Sequence, residues 1–185
     1  MREKMSNERL DLIEKGLKSK NIKEYEIYLV EKNIYETIFL KNQVDNEREI
    51  RDFEYFIRIL SQKKDETGIG VIKGNSLDKG QIDKNIDICA ILSKFNSNTK
   101  YFFPGETQIS DLNTADKKIL DDPIAIKKDL AEELISEASQ QKDVKTTFGR
   151  FRIHSYHSFL RNSNAINLDS KKTKKVRQFY GFFLK

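Results

Sequence analysis

The sequence predicts an α+β fold, with a largely antiparallel or mixed sheet packed with about three helices. Strand-like segments come in runs instead of alternating with helices, which argues against a parallel βαβ sheet. Apolar residues spaced three and four apart mark helices near 6–20, 79–95 and 123–141. Only two prolines and eight glycines occur in 185 residues, so no Pro/Gly linker divides the chain and one domain over 1–185 is expected.

In the first helix Leu10, Ile13 and Leu17 share a face, Ser6 is a candidate cap and Asn21 a candidate stop. The run 24–32 alternates Tyr25, Ile27 and Leu29 with Tyr28 and Val30. The run 34–41 holds Ile34, Tyr35, Thr37, Ile38, Phe39 and Leu40, all good strand formers. With only Asn33 between them, the two runs form either a tight hairpin or one bent strand. Val44-Asp45-Asn46-Glu47 is a turn candidate. Residues 48–61 and 69–72 read as strands, the second broken by Gly68, Gly70 and Gly74. In the helix over 79–95, Ile82, Ile86, Cys89 and Leu92 fall near one stripe, and 96–121 is polar and irregular. Asp122 and Pro123 give the next helix a cap and a first position, and Leu130, Ala131, Leu134, Ile135 and Ala138 its stripe. Residues 144–161 return to strand with a phase change at Gly149, Asn162-Ser163-Asn164 is a turn, and 173–184 a last strand. A chain ending on Phe182-Phe183-Leu184 reads as cut inside a sheet.

Charge is distributed unevenly. The net charge is +5, yet residues 1–141 carry 23 basic and 27 acidic groups, while 142–185 carry 11 basic and 2 acidic. The densest run is Lys171, Lys172, Lys174, Lys175 and Arg177, a candidate basic partner surface. With Phe179, Tyr180 and Phe182 beyond it, this run could meet phosphates and stack on bases, dock an acidic partner, or be a solvated turn before a core strand. The single cysteine excludes a disulfide framework and fits a reducing, cytoplasmic setting. No apolar run is long enough to span a bilayer, so no membrane partner is expected.

No catalytic centre assembles from these residues. His154 and His157 lie three apart on an expected strand and so point to opposite faces, which does not suit one metal. Cys89 sits on an apolar helix face, where a thiol is inert. Asp121-Asp122 and Glu132-Glu133 fit a cap and solvated flank charge. Gly68 to Gly74 is neither a dinucleotide fingerprint nor a Walker loop, and its glycines suit close backbone approach. Catalytic, cofactor and metal residues are therefore expected to be none.

Four stretches resemble one family: Tyr25-Glu26-Ile27-Tyr28-Leu29; Ile57-Arg58-Ile59-Leu60 followed by Gly68-Ile69-Gly70; Asn75-Ser76-Leu77-Asp78 entering a helix; and Arg161-Asn162-Ser163-Asn164-Ala165. In that order they resemble the amino-terminal portion of the TldD/PmbA proteins, once called modulators of DNA gyrase and now regarded as metalloproteases or their partners. Ala165 stands where the family has glycine, and the charged loop between Leu60 and Gly68 lacks an expected glycine. The resemblance implies a longer parent, with zinc held by a His-Glu-x-x-x-His helix and a later cysteine in a carboxy-terminal half. It implies as partners that missing carboxy-terminal domain, a family member in a homo- or heterodimer, and unfolded peptide. Asn162 and Ser163 match a family motif and are expected to form a structural turn near the assembly surface. The expected role is non-catalytic: subunit assembly and enclosure of a peptide cavity. The alternative is a small nucleic-acid-binding domain using Lys171–Arg177.

Overall fold

A computed structural model describes residues 2–105, 114–140 and 144–183. The element order is α1 (Arg2–Ser19), β1 (Tyr25–Leu40), β2 (Gln43–Gln62), β3 (Glu66–Gly74), α2 (Lys79–Phe95), β4 (Asn98–Thr99), α3 (Lys117–Asp121), α4 (Pro123–Ser139), β5 (Val144–Asn162) and β6 (Asn167–Phe183). The six antiparallel strands form one sheet in the order β4-β3-β2-β1-β5-β6, an α+β fold as predicted.

Contacts divide the chain into two compact units. One comprises 1–31, 53–111 and 158–170; the other comprises 32–52, 112–157 and 171–185. Strands β1, β2 and β5 supply residues to both, and so does β6.

The first unit has an apolar core. Leu10, Ile13 and Leu17 of α1 and Ile82, Ile86 and Cys89 of α2 pack against Ile27, Leu29, Tyr55, Ile57 and Ile59. Full burial of each such aliphatic side chain contributes about 1.5–3 kcal/mol. Helix α2 lies close on β3. A Cβ at Gly68 would collide with the Ser93 carbonyl oxygen, and one at Gly70 with that of Cys89. Opposite Gly74, its β2 partner Tyr55 fills the space a side chain would need, and the Tyr55 hydroxyl accepts from Asn85 Nδ2 at 3.0 Å. Asp78 caps α2 by accepting from Gln81 N at 2.9 Å.

The second unit buries Tyr35, Phe151 and Ile153 of the sheet with Ile119 of α3, and Ile126, Leu130 and Leu134 of α4 pack against them. Asp122 caps α4 as expected, accepting from Ala125 N at 3.0 Å.

Local expectations needed correction at several points. Residues 25–40 are one strand. The turn after it is Lys41-Asn42, not 44–47, with both residues at positive φ (54° and 62°). Two consecutive left-handed residues twist a hairpin the way its strands twist, so geometry outweighs the turn-rich composition of Asp45-Asn46. Ser6 lies inside α1, not at its cap, and is buried with its hydroxyl on Glu31 Oε1 at 2.8 Å. The α2 stripe runs through Ser93, while Leu92 faces outward with Ile88, Ile91 and Phe95. Helix α3, capped by Asp116, lies in the stretch expected to be irregular and makes a fourth helix among the described residues. Lys171–Arg177 lies within β6 and is not a turn before a strand, because β6 begins at Asn167. Lysines suit such a strand at the sheet margin, where long charged side chains discourage further pairing.

Candidate functional site

In the first unit the structure gathers polar groups around Asn162, at the end of β5. Its Oδ1 accepts from Asn164 N at 2.9 Å and Ile166 N at 3.1 Å, and its Nδ2 donates to the Pro104 carbonyl at 3.0 Å. Ser163 N donates to Tyr25 O at 2.9 Å, and Tyr25 N donates back to Ser163 Oγ at 3.3 Å. Asn164 Nδ2 donates to Phe103 O at 2.8 Å. One amide side chain thus closes the turn and ties it to the strap 103–104, while Ser163 ties it to the start of β1. Asparagine suits the place because it both accepts and donates. Ala165 completes the turn at φ 67°, a left-handed conformation that costs a residue with a Cβ about 1 kcal/mol.

Beside this turn, Arg161 Nη1 donates to Asp11 at 2.5 Å and Glu14 at 3.1 Å, and the Tyr25 hydroxyl donates to Glu14 at 2.6 Å. Burial raises the Glu14 carboxyl, but hydrogen bonds from Lys18, Tyr25 and Arg161 hold it below the ordinary value. Turn, helix and strand are thereby joined.

In the second unit Glu36 is fully buried, with its carboxylate accepting from Arg48 and Arg152. Burial pushes it toward the neutral acid; the two arginines prevail and hold it below the usual carboxylate range. Buried Lys127 of α4 pairs with Glu47 at 2.7 Å, and Glu47 also accepts from Thr37 Oγ1 at 3.2 Å. His154 is 9% exposed, with Nδ1 3.1 Å from the Tyr156 hydroxyl and its ring stacked on Tyr156 at 5.9 Å. Burial, then the nearby cations Lys32, Arg152 and Lys174, lower its pKa; only Glu36 acts the other way.

The structure divides the basic run of β6. Lys175 Nζ lies 3.9 Å from Asp116, and Arg177 4.0 Å from Glu133. Thr114 bridges to Lys172 and accepts no charge, its hydroxyl donating to Lys171 O at 3.2 Å. Lys174 instead acts on His154. His154 and His157 lie on β5, and no group of three potential metal ligands occurs among the described residues. Cys89 is buried, its thiol donating to Ile57 O at 3.4 Å and pushed up to about 12 by burial. Phe182 and Phe183 are described in backbone only, Phe179 and Tyr180 likewise, and Leu184 lies outside the described residues.

Sequence reading missed Glu36, Arg48, Arg152 and Lys32 as a group. The signal was present: Glu36 interrupts an apolar run, and Arg150, Arg152 and His154 alternate with buried Phe151 and Ile153.

Over nine-tenths of its length the chain has the fold of TldD/PmbA-type proteins. A candidate modulator of a DNA gyrase from Thermotoga maritima superposes with a TM-score of 0.67 at 15% identity, covering 91% of this chain and 38% of that one. One from Bacteroides thetaiotaomicron gives 0.63 at 13%, covering 88% and 38%. TldE from Thermococcus kodakarensis gives 0.60 at 17%, covering 93% and 39%. The likeness is one of fold, and this chain spans under two fifths of the length of those chains. No protein-family model matches the sequence, and no curated protein does. No described helix is long and apolar enough to cross a membrane.

Proposed function

We propose that this chain is a non-catalytic, amino-terminal module of a cytoplasmic TldD/PmbA-type protein, serving subunit assembly and enclosing a peptide-binding cavity. The fold match carries this reading: nearly the whole chain is accounted for by about two fifths of a TldD/PmbA-type chain. Such a segment of a larger protein needs partners: a carboxy-terminal domain, a family member, or both. Zinc, where the parent holds it, belongs to residues outside this chain. The Asn162–Ser163 turn supports the reading as a rigid junction between β5, β1 and the strap at 103–104.

The test is the solution mass of the 21.7 kDa chain together with binding of a fluorescent, permanently unfolded peptide. The reading expects a concentration-dependent dimer and saturable peptide binding, with no cleavage when zinc is added. A chain that stays monomeric and ignores the peptide at every concentration contradicts it.

The nucleic-acid reading of Lys171–Arg177 rests on the +9 balance of the last 44 residues. It is the weaker one on this geometry, since Lys175 and Arg177 already face Asp116 and Glu133.

A further inference from the structure

The second unit carries a cationic cluster that its own acids do not neutralise. Among the described residues, several bases of this unit meet a carboxylate: Arg48 and Arg152 meet Glu36, Lys127 meets Glu47, and Lys175 meets Asp116. Lys32 and Lys174 meet none, yet both lie near His154. Lys32 stands with Nζ 5.9 Å from the Tyr156 ring, and Tyr156 stacks on His154. Arg152 and His154 lie two apart on β5, so they share a face, and neighbouring strands are about 4.8 Å apart. Lys32 on β1, Arg152 and His154 on β5, and Lys174 on β6 therefore converge from three adjacent strands. Counting Arg48, four permanent cations stand against one carboxylate, that of Glu36.

We propose that Lys32, Arg152, His154 and Lys174 form a binding site for a phosphate group. Like charges held this close repel, and a fold keeps such a cluster most readily when a ligand relieves it. A phosphate monoester matches the excess better than a carboxylate, because it brings nearly two charges and three strong acceptor oxygens at neutral pH. Arg152 supplies a planar donor fork and the lysines supply mobile point charges. His154 forms the floor. It gains a proton as the anion arrives, with Lys32, Arg152 and Lys174 opposing that proton and Glu36 and the phosphate favouring it. The inference does not depend on the assembly role, and either can fail alone.

The experiment follows the His154 ring resonances of the full chain by NMR during titration with inorganic phosphate, and then with a short oligonucleotide with and without a 5′-phosphate. The site predicts saturable shifts of His154. Joint replacement Lys32→Ala with Lys174→Ala weakens binding about tenfold, equivalent to about 1.4 kcal/mol, whereas Lys175→Ala leaves it unchanged. Both replaced lysines are surface groups, and circular dichroism confirms that the variant folds. A 5′-phosphate that binds more tightly than inorganic phosphate assigns the site to nucleotide ends; equal or weaker binding assigns it to free phosphate. The proposal is overturned if phosphate leaves the His154 resonances in place, or if the double variant binds as the parent does.

Discussion

The two units of this chain bury different chemistry. Among the described residues, on which both counts here rest, the first packs thirteen buried residues of α1, α2 and the strands into one apolar cluster. The second clusters four, and beside them it buries Glu36 between two arginines and Lys127 against Glu47. Apolar burial is indifferent to pH and only weakly directional. A buried charge is costly when its partner is removed, so the second unit depends on a few specific pairs. Among the described residues, the first unit thus buries chiefly apolar side chains with one buried carboxylate, Glu26 against Arg58, and the second relies more heavily on buried ion pairs.

The largest effect is expected in the first unit, at the α2–β3 contact. Gly70→Val puts branched carbon where the Cys89 carbonyl lies, and the destabilisation is about 3 kcal/mol or more by urea denaturation. A loss below 1 kcal/mol would show that the helix readily moves away and that the packing is not tight. In the second unit Glu36→Ala leaves Arg48 and Arg152 facing each other and costs about 3 kcal/mol. The difference between the units disappears if Glu36→Leu restores more than half of that loss, since lost volume and not unpaired arginines would then account for it.

The pH dependence sharpens the contrast. Glu36 and Glu47 have folded pKa values below their ordinary ones: burial opposes and Arg152 and Arg48 prevail at Glu36, while Lys127 dominates at Glu47. The stability each supplies is complete above about 4.3, the unfolded glutamate value, and is lost as pH falls through the folded one. His154, lowered by burial and by its cationic neighbours, acts with the same sign from about 6.5 downward, because the unfolded ring takes up a proton first. Among the described residues the first unit has one comparable group, Glu14. Thermal melts across pH 7 to 3 should therefore show acid loosening the second unit before the first.

Smaller effects belong to the turn. Asn162→Ala leaves two backbone N–H groups and a carbonyl without their partner and costs about 2 kcal/mol. Asn162→Asp keeps both acceptor bonds and loses the donor to Pro104, so it should fall between the two. Ala165→Gly relieves a left-handed Cβ and raises stability by about 0.5 kcal/mol, the net of strain relief and a looser unfolded chain.

This contrast also decides what was legible in the sequence. Helix α2 matched its expected span because Asp78 caps its start. The Asn162 turn was legible because asparagine and serine close turns locally. The hairpin at Lys41-Asn42 was not, since lysine is an ordinary residue forced into a left-handed position by the strands on either side. The members of the Glu36 cluster each left a local signal, but Arg48 and Arg152 are 12 and 116 residues from Glu36 in sequence, and only strand pairing brings them together. Leu92 was misplaced because two apolar stripes share α2, and periodicity alone does not say which one faces the sheet.

The most direct test is residue-resolved amide exchange at pH 7 and pH 3.5. Ile57 and Leu29 report on the apolar unit, Phe151 and Ile153 on the charged one. At pH 7 all four are expected to be protected. After correction for intrinsic exchange, lowering the pH should remove protection from Phe151 and Ile153 while Ile57 and Leu29 keep theirs. Equal loss at all four, or earlier loss at Ile57 and Leu29, would contradict a division into an apolar unit and an ion-paired one.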